Sequence, residues 1–272
     1  MIEHIETLGV KHAVRVTGDG EPLLLLHGFT GSMGTWEPFV EKWSKSFKVI
    51  AIDIVGHGQT IAPDDVSCYK MEHEAASIMA LLDQLNIKKT HLLGYSMGGR
   101  LALFIKIYYP EQTGRLLLES SSPGLGTERD RAGRKQRDDE LADRIEADGV
   151  ENFINEWEKI PLFKTQETLP ESVRKKIRQE RLNQTAKGLA NSLRGMGTGV
   201  QPPLWNDIRT ISSRVSLVVG SLDKKFVDIG QAMAQRMPNA AFHIVPDAGH
   251  AIHVEQPQIF DKIVMDDFKS TL

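Results

Sequence analysis

Short apolar runs recur along this chain, and helical patterns fill the stretches between them. That alternation limits the fold more than any single residue does. A strand that leads into a helix returns to the same sheet beside a parallel strand, so repeated strand–helix units give a mostly parallel sheet with helices on both faces. The runs "PLLLLH" (22–27), "FKVIAIDI" (47–54), "THLLGYS" (90–96), "RLLLES" (115–120), "RVSLVVG" (214–220) and "AFHIVPD" (241–247) are continuous rather than alternating. Strands covered on both faces have this character. Helical patterns are expected at 72–85, 98–109, 228–237 and 256–270. "HAVRV" (12–16) and "PLLLLH" flank "TGDGE", a turn signal that predicts a hairpin.

From about Pro123 to Pro203 the alternation stops. The segment is highly charged, with both signs intermixed, and helical in pattern. A helical cap inserted after strand 6 accounts for its position. The expected organisation is an α/β core at 1–122 and 206–272 and a cap at 123–205. The length of 272 residues suits one domain with such an insertion. A net charge of −3 gives no sign of a nucleic-acid partner. No apolar run is long enough for a membrane span, and "MIEHIETLGVKHAVRV" lacks a signal-peptide layout. The single Cys68 cannot form an internal disulfide. A cytoplasmic monomer or small homo-oligomer, without membrane insertion, is the expectation.

Chemistry enters at "LLGYSMGGR" (92–100), where Gly94, Ser96 and Gly98 form G-x-S-x-G between an apolar strand and a helical pattern. A sharp strand-to-helix turn projects the serine hydroxyl outward, and the flanking glycines relieve its crowding. A serine hydroxyl needs a histidine to take its proton, and the histidine needs a carboxylate to orient it. His250 in "PDAGHAIHVEQP" follows the last expected strand, and Asp223 in "GSLDKKF" follows the one before. The order Ser96, Asp223, His250 is serine–acid–histidine. His27 and His57 also follow strands and could line the pocket, whereas His253 belongs with the last helix. Asp228 reads as helix-associated, and Asp247 lies very near His250 in sequence. The glycine-rich turn after "LLLLH" supplies an oxyanion hole, with the backbone amides of Phe29 and Met97 as donors.

Through "HGF", "DIVGHGQT", "GYSMGG", "GSLD" and "DAGHAIHVEQP" the chain resembles the α/β-hydrolase superfamily. That fold serves esterases, C–C hydrolases and lyases, so the reaction must be read from the substrate side. Arg100 is one turn beyond Ser96 and costly to bury without an anion. "SSPGLGTERDRAGR", "FINEWEKIPLF" and "SLRGMGTGVQPPLW", with "GYSMGGR", resemble the 2-succinyl-6-hydroxy-2,4-cyclohexadiene-1-carboxylate synthases of menaquinone biosynthesis. The resemblance implies a lyase that eliminates pyruvate from a tricarboxylate. It also implies substrate contacts at Tyr95, Arg100, Trp157 and Arg194, and at Arg131, with Arg134 as the alternative. Gly126 stands where a glutamine would fit that pattern. Arginine grips carboxylates in bidentate fashion, which suits a small-molecule tri-anion. No metal or organic cofactor is expected, since H-E-x-x-H, CxxC and phosphate-loop patterns do not occur. A serine carboxylesterase or C–C bond hydrolase acting on another anionic metabolite is the alternative.

Overall fold

In the computed structural model, which describes residues 1–269, eight strands form one sheet. They are β1 (Ile2–Thr7), β2 (Val10–Thr17), β3 (Glu21–Leu26), β4 (Phe47–Ile52), β5 (Thr90–Tyr95), β6 (Thr113–Glu119), β7 (Val215–Gly220) and β8 (Ala240–Val245). Their spatial order is β1-β2-β4-β3-β5-β6-β7-β8. β2 runs antiparallel to β1 and β4, and every other pairing is parallel. The helices are α1 (Glu37–Trp43), α2 (Met71–Gln84), α3 (Met97–Tyr108), α4 (Glu128–Trp157), α5 (Glu171–Leu182), α6 (Ala186–Met196), α7 (Lys224–Ala234), α8 (Ile252–Glu255) and α9 (Pro257–Lys269). Residue 270 of the expected last helix, and residues 270–272 of the expected core, lie outside the described residues.

The unbroken leucine run of β3 is explained by two cores. Leu24 and Leu26 enter the one built by α2, α3 and α7, and Leu23 and Leu25 enter the opposite one with Trp36, Trp43 and Phe260. All four leucines are fully buried. Burying such a side chain stabilises the fold by about 2 kcal/mol relative to exposure.

The hairpin expected across "TGDGE" is not formed. β4 lies between β2 and β3, and the N-terminal hairpin is β1–β2 instead. Its turn places Leu8 and Gly9 at positive φ, the geometry that matches strand twist. The "TGDGE" glycines serve a crossing. A Cβ on Gly18 would lie 2.3 Å from the Phe47 carbonyl oxygen, and one on Gly20 would lie 2.0 Å from that of Ser46. Local turn chemistry looks the same in both cases; only the strand order separates them.

After β6 the chain leaves the sheet and returns at β7. In between lie α4, kinked at Gly149, a 3-10 stretch at Pro161–Thr168, α5 and α6. This helical insertion has a small core of its own, including Ile145, Phe153, Ile154, Leu189 and Leu193. It sits close on the sheet domain: a Cβ on Gly188 would lie 2.0 Å from the Gly56 carbonyl oxygen. Among the described residues no helix is long and apolar enough to cross a membrane.

The two glycine roles separate experimentally. Gly9→Ala faces only the left-handed backbone penalty, because nothing lies within 4 Å of its added Cβ. Its expected cost is about 1 kcal/mol. Gly18→Ala adds overlap with two carbonyl oxygens and should cost about 3 kcal/mol. Urea denaturation of both variants measures the difference.

Candidate active site

Ser96 joins β5 to α3 with φ 50° and ψ −106°, a strained conformation for a residue with a side chain. The strain is held from all sides. The Ser96 amide donates to the Glu119 carbonyl oxygen at 2.9 Å, and its own carbonyl accepts from the Arg100 amide and the Ser121 hydroxyl. A Cβ on Gly98 would lie 2.3 Å from the Leu26 carbonyl oxygen, and one on Gly94 would lie 2.5 Å from that of Gly98. β3, β5 and α3 can therefore meet at this corner only through glycine.

Three loops, each following a strand, complete the constellation. Ser96 Oγ lies 3.0 Å from His250 Nε2, and His250 Nδ1 lies 2.8 Å from Asp223 Oδ2. Asp223 is also the N-cap of α7, its Oδ1 accepting from the Phe226 amide. That second bond fixes the carboxylate, which in turn fixes the imidazole. The serine–histidine–aspartate grouping expected from sequence is thus assembled in space, within reach for proton transfer.

Ser96, Met97 and His250 line a cavity of about 210 Å³ together with Phe29, Tyr95, Arg100, Arg134 and Trp157. No side chain caps α3, so its first amide, Met97, has no partner within the helix. The loop bearing Phe29 is pinned by His27, which accepts from the Ile54 amide at Nε2 and donates from Nδ1 to the Gly28 carbonyl. His57 packs edge-on against both His27 and Phe29. Both histidines are buried scaffolding of this loop, and neither lines the cavity. His253 is also structural, held by the buried Glu119 carboxylate at 2.9 Å.

The arginines divide. Arg100 is 9% exposed, and only its Nη1 finds protein acceptors among the described residues: the Met196 carbonyl and Gln201 Oε1, each at 2.8 Å. Among the described residues no carboxylate lies within ion-pair distance of Arg100. Burial, then the neighbouring Arg134, bring its pKa down to about 10. Arg134 pairs with Asp138 at 2.7 Å and still faces the cavity. Arg131, the preferred choice from sequence, instead donates to the carbonyls of Leu125 and Gly126 and does not line the cavity. Arg134, three residues further along α4, takes the inward place. Arg194 is corrected likewise. It is clamped by Asp143 at 2.6 Å and Glu146 at 2.7 Å on the outer side of α4 and does not line the cavity.

Sequence reading missed Arg181. It is buried beneath the Phe163 ring at 4.6 Å and lines a second cavity, of about 450 Å³, which shares Phe29, Tyr95 and Phe163 with the first. Its place among the many charges of α5 gave no signal. Lys225 also lines the catalytic cavity. Two polar atoms on the catalytic cavity's residues, Trp157 Nε1 and Ser120 Oγ, are buried without a partner among the described residues. Buried polar atoms are seldom left so, and a ligand is one way to satisfy them.

Comparison with known proteins identifies the fold and its relatives. Residues 21–257 match the family model of the alpha/beta hydrolase fold. A candidate 2-succinyl-6-hydroxy-2,4-cyclohexadiene-1-carboxylate synthase of Bacillus subtilis (strain 168) is 45% identical, over 94% of each chain. The structure of MenH from S. aureus superposes with a TM-score of 0.90 at 35% identity, covering 95% of this chain and 97% of that one. A thermophilic esterase from Thermogutta terrifontis, with malate bound, superposes with a TM-score of 0.87 at 26% identity, covering 99% and 98%.

The buried histidines set a pH dependence. Burial lowers His27 to about 4 and His57 to about 3, so the folded chain resists their protonation. The unfolded chain takes up protons near pH 6.5. Stability from these groups is therefore complete above pH 6.5 and is lost as pH falls from there towards 4. Each histidine should remove about 2 kcal/mol between pH 6.5 and 5. Asp53 and Glu180, raised by burial, act in the opposite sense and offset part of it. Urea denaturation at pH 7.5 and 5.0 should show the loss, and His57→Gln should diminish it.

Proposed function

The chain belongs to the alpha/beta hydrolase fold family, in the group of its Bacillus subtilis relative, and from that premise we infer that it is a 2-succinyl-6-hydroxy-2,4-cyclohexadiene-1-carboxylate synthase of menaquinone biosynthesis. Its reaction is elimination of pyruvate from 2-succinyl-5-enolpyruvyl-6-hydroxy-3-cyclohexene-1-carboxylate. The observation that carries this reading is Arg100: a buried guanidinium one turn from Ser96, with a second arginine beside it and no carboxylate partner. Burying such a charge unpaired is costly, and an anionic substrate offsets that cost. A neutral ester would not. Arg181, across the Phe29–Phe163 boundary, offers a further guanidinium to a substrate that extends between the two cavities.

The proposed chemistry uses Ser96 as a base. His250 takes the Ser96 proton while Ser96 Oγ removes the ring proton next to the succinyl ketone. Asp223 holds the imidazole tautomer and stabilises the imidazolium. Negative charge moves onto the ketone oxygen, where the Phe29 and Met97 amides receive it. A donor in such a place typically contributes about 3–4 kcal/mol. The dienolate then collapses, the ring carbon–oxygen bond breaks, and the departing enolpyruvate picks up a proton to become pyruvate. No bond to Ser96 forms at any stage.

The second reading is a serine carboxylesterase, favoured by a triad equally suited to nucleophilic attack and by the likeness to the Thermogutta terrifontis enzyme. The purified chain, given the enolpyruvyl tricarboxylate, should release pyruvate and turn over p-nitrophenyl acetate slowly, without a burst. Arg100→Ala should lose about 2–5 kcal/mol in kcat/KM. Arg194→Ala should stay within about threefold of wild type, as surface ion pairs contribute little. Rapid ester turnover with no pyruvate would favour the esterase.

A further inference from the structure

The loop that carries Phe29 is gripped from two directions. From the sheet side, Asp53 at the end of β4 accepts from the Met33 amide at 2.6 Å and from the Gln59 amide at 2.8 Å. One carboxylate so ties the 28–35 loop to the 56–60 loop. From the other side comes the helical insertion. Glu180 Oε1, on α5, accepts from the Ser32 amide at 3.0 Å, the Ser32 hydroxyl at 2.5 Å and the Thr35 hydroxyl at 3.4 Å. Four residues on, just past the end of α5, Gln184 Nε2 donates to the Gly31 carbonyl at 3.1 Å, and its Oε1 accepts from the Gly58 amide at 3.0 Å. Both side chains thus reach the 31–35 segment.

The Glu180 part of this grip goes to that loop, while Gln184 also reaches Gly58. Among the described residues no lysine or arginine pairs with Glu180, and the hydrogen bonds this half-buried carboxylate accepts come from this segment. Burial raises its pKa accordingly, and the Ser32 and Thr35 bonds oppose the rise. Insertions dock adequately through apolar contacts, and this one has them through Phe29, Phe153 and Trp157. A carboxylate and an amide spent on the residues directly after Phe29 point to a need for backbone geometry there.

We propose that Glu180 and Gln184 are positioning residues, which hold the Phe29 loop in its working shape only while the helical insertion is seated. Seating of the insertion over a substrate and formation of the oxyanion hole are then one event. A substrate that fails to seat α5 meets a loop missing half its restraints. The proposal rests on the reading of Phe29 as an oxyanion donor.

Hydrogen–deuterium exchange and steady-state pyruvate release, both on the full chain, test it. Glu180→Ala and Gln184→Ala should raise exchange across residues 28–36 at least about threefold. They should lower kcat about tenfold or more and leave KM within about threefold, as expected when a transition-state donor is misplaced. Glu180→Gln keeps an acceptor oxygen and should restore both readouts to near wild type. Unchanged exchange in the alanine variants overturns the proposal, as does faster exchange with kcat intact. A rise in KM equal to the loss in kcat/KM overturns it too, because that marks a substrate-binding role. If the wild-type chain releases no pyruvate, the lyase reading fails on that count, and the exchange contrast among the variants still decides the coupling.

Discussion

Everything in this structure depends on the backbone of Ser96 being held at positive φ between β5 and α3. A side-chain-bearing residue in that region costs on the order of 1–3 kcal/mol. The surroundings supply the compensation. Gly94 and Gly98 let three backbones approach within distances no Cβ would allow, and Glu119 and Ser121 bind both ends of the Ser96 peptide. The result is a hydroxyl facing the cavity above the sheet, at a helix N-terminus whose first amide has no partner within the helix. Asp223 and His250 come from the ends of neighbouring strands, so the sheet itself sets their distances.

Around that corner the protein arranges charge in an unusual way. Cationic groups are gathered inward and left short of acidic partners: Arg100 has none, and Arg134 beside it has only Asp138. Arg194, held by two carboxylates, faces elsewhere. A triad of this shape can serve several reactions. On the reading proposed above, it is Arg100, buried without a carboxylate partner, that favours an anionic substrate.

The fold was largely legible because its strands are continuous apolar runs whose two faces both meet helices, as β3 does. The triad was legible because each member directly follows such a run. What failed were features that depend on spatial neighbours. Nothing local distinguishes a hairpin glycine from Gly18, whose requirement comes from β4 passing against it. The arginines of α4, α5 and α6 all sit in charged helices, where the inward face is set by what packs against each helix. Arg134 and Arg181 turn inward while Arg131 and Arg194 do not, and the sequence around each is nearly equivalent in charge. Glu180 and Gln184 were invisible for the same reason: their partners are more than 120 residues away.

The central claim is that Ser96, through His250, removes a proton from the ring carbon beside the succinyl ketone. Single-turnover pyruvate release, with enzyme in excess, measures this most directly when the substrate carries protium or deuterium at that carbon. Proton removal by Ser96 predicts slower release from the deuterated substrate, and no modification of Ser96 in the quenched enzyme. Equal rates from the two substrates, together with a covalent adduct on Ser96, would contradict it.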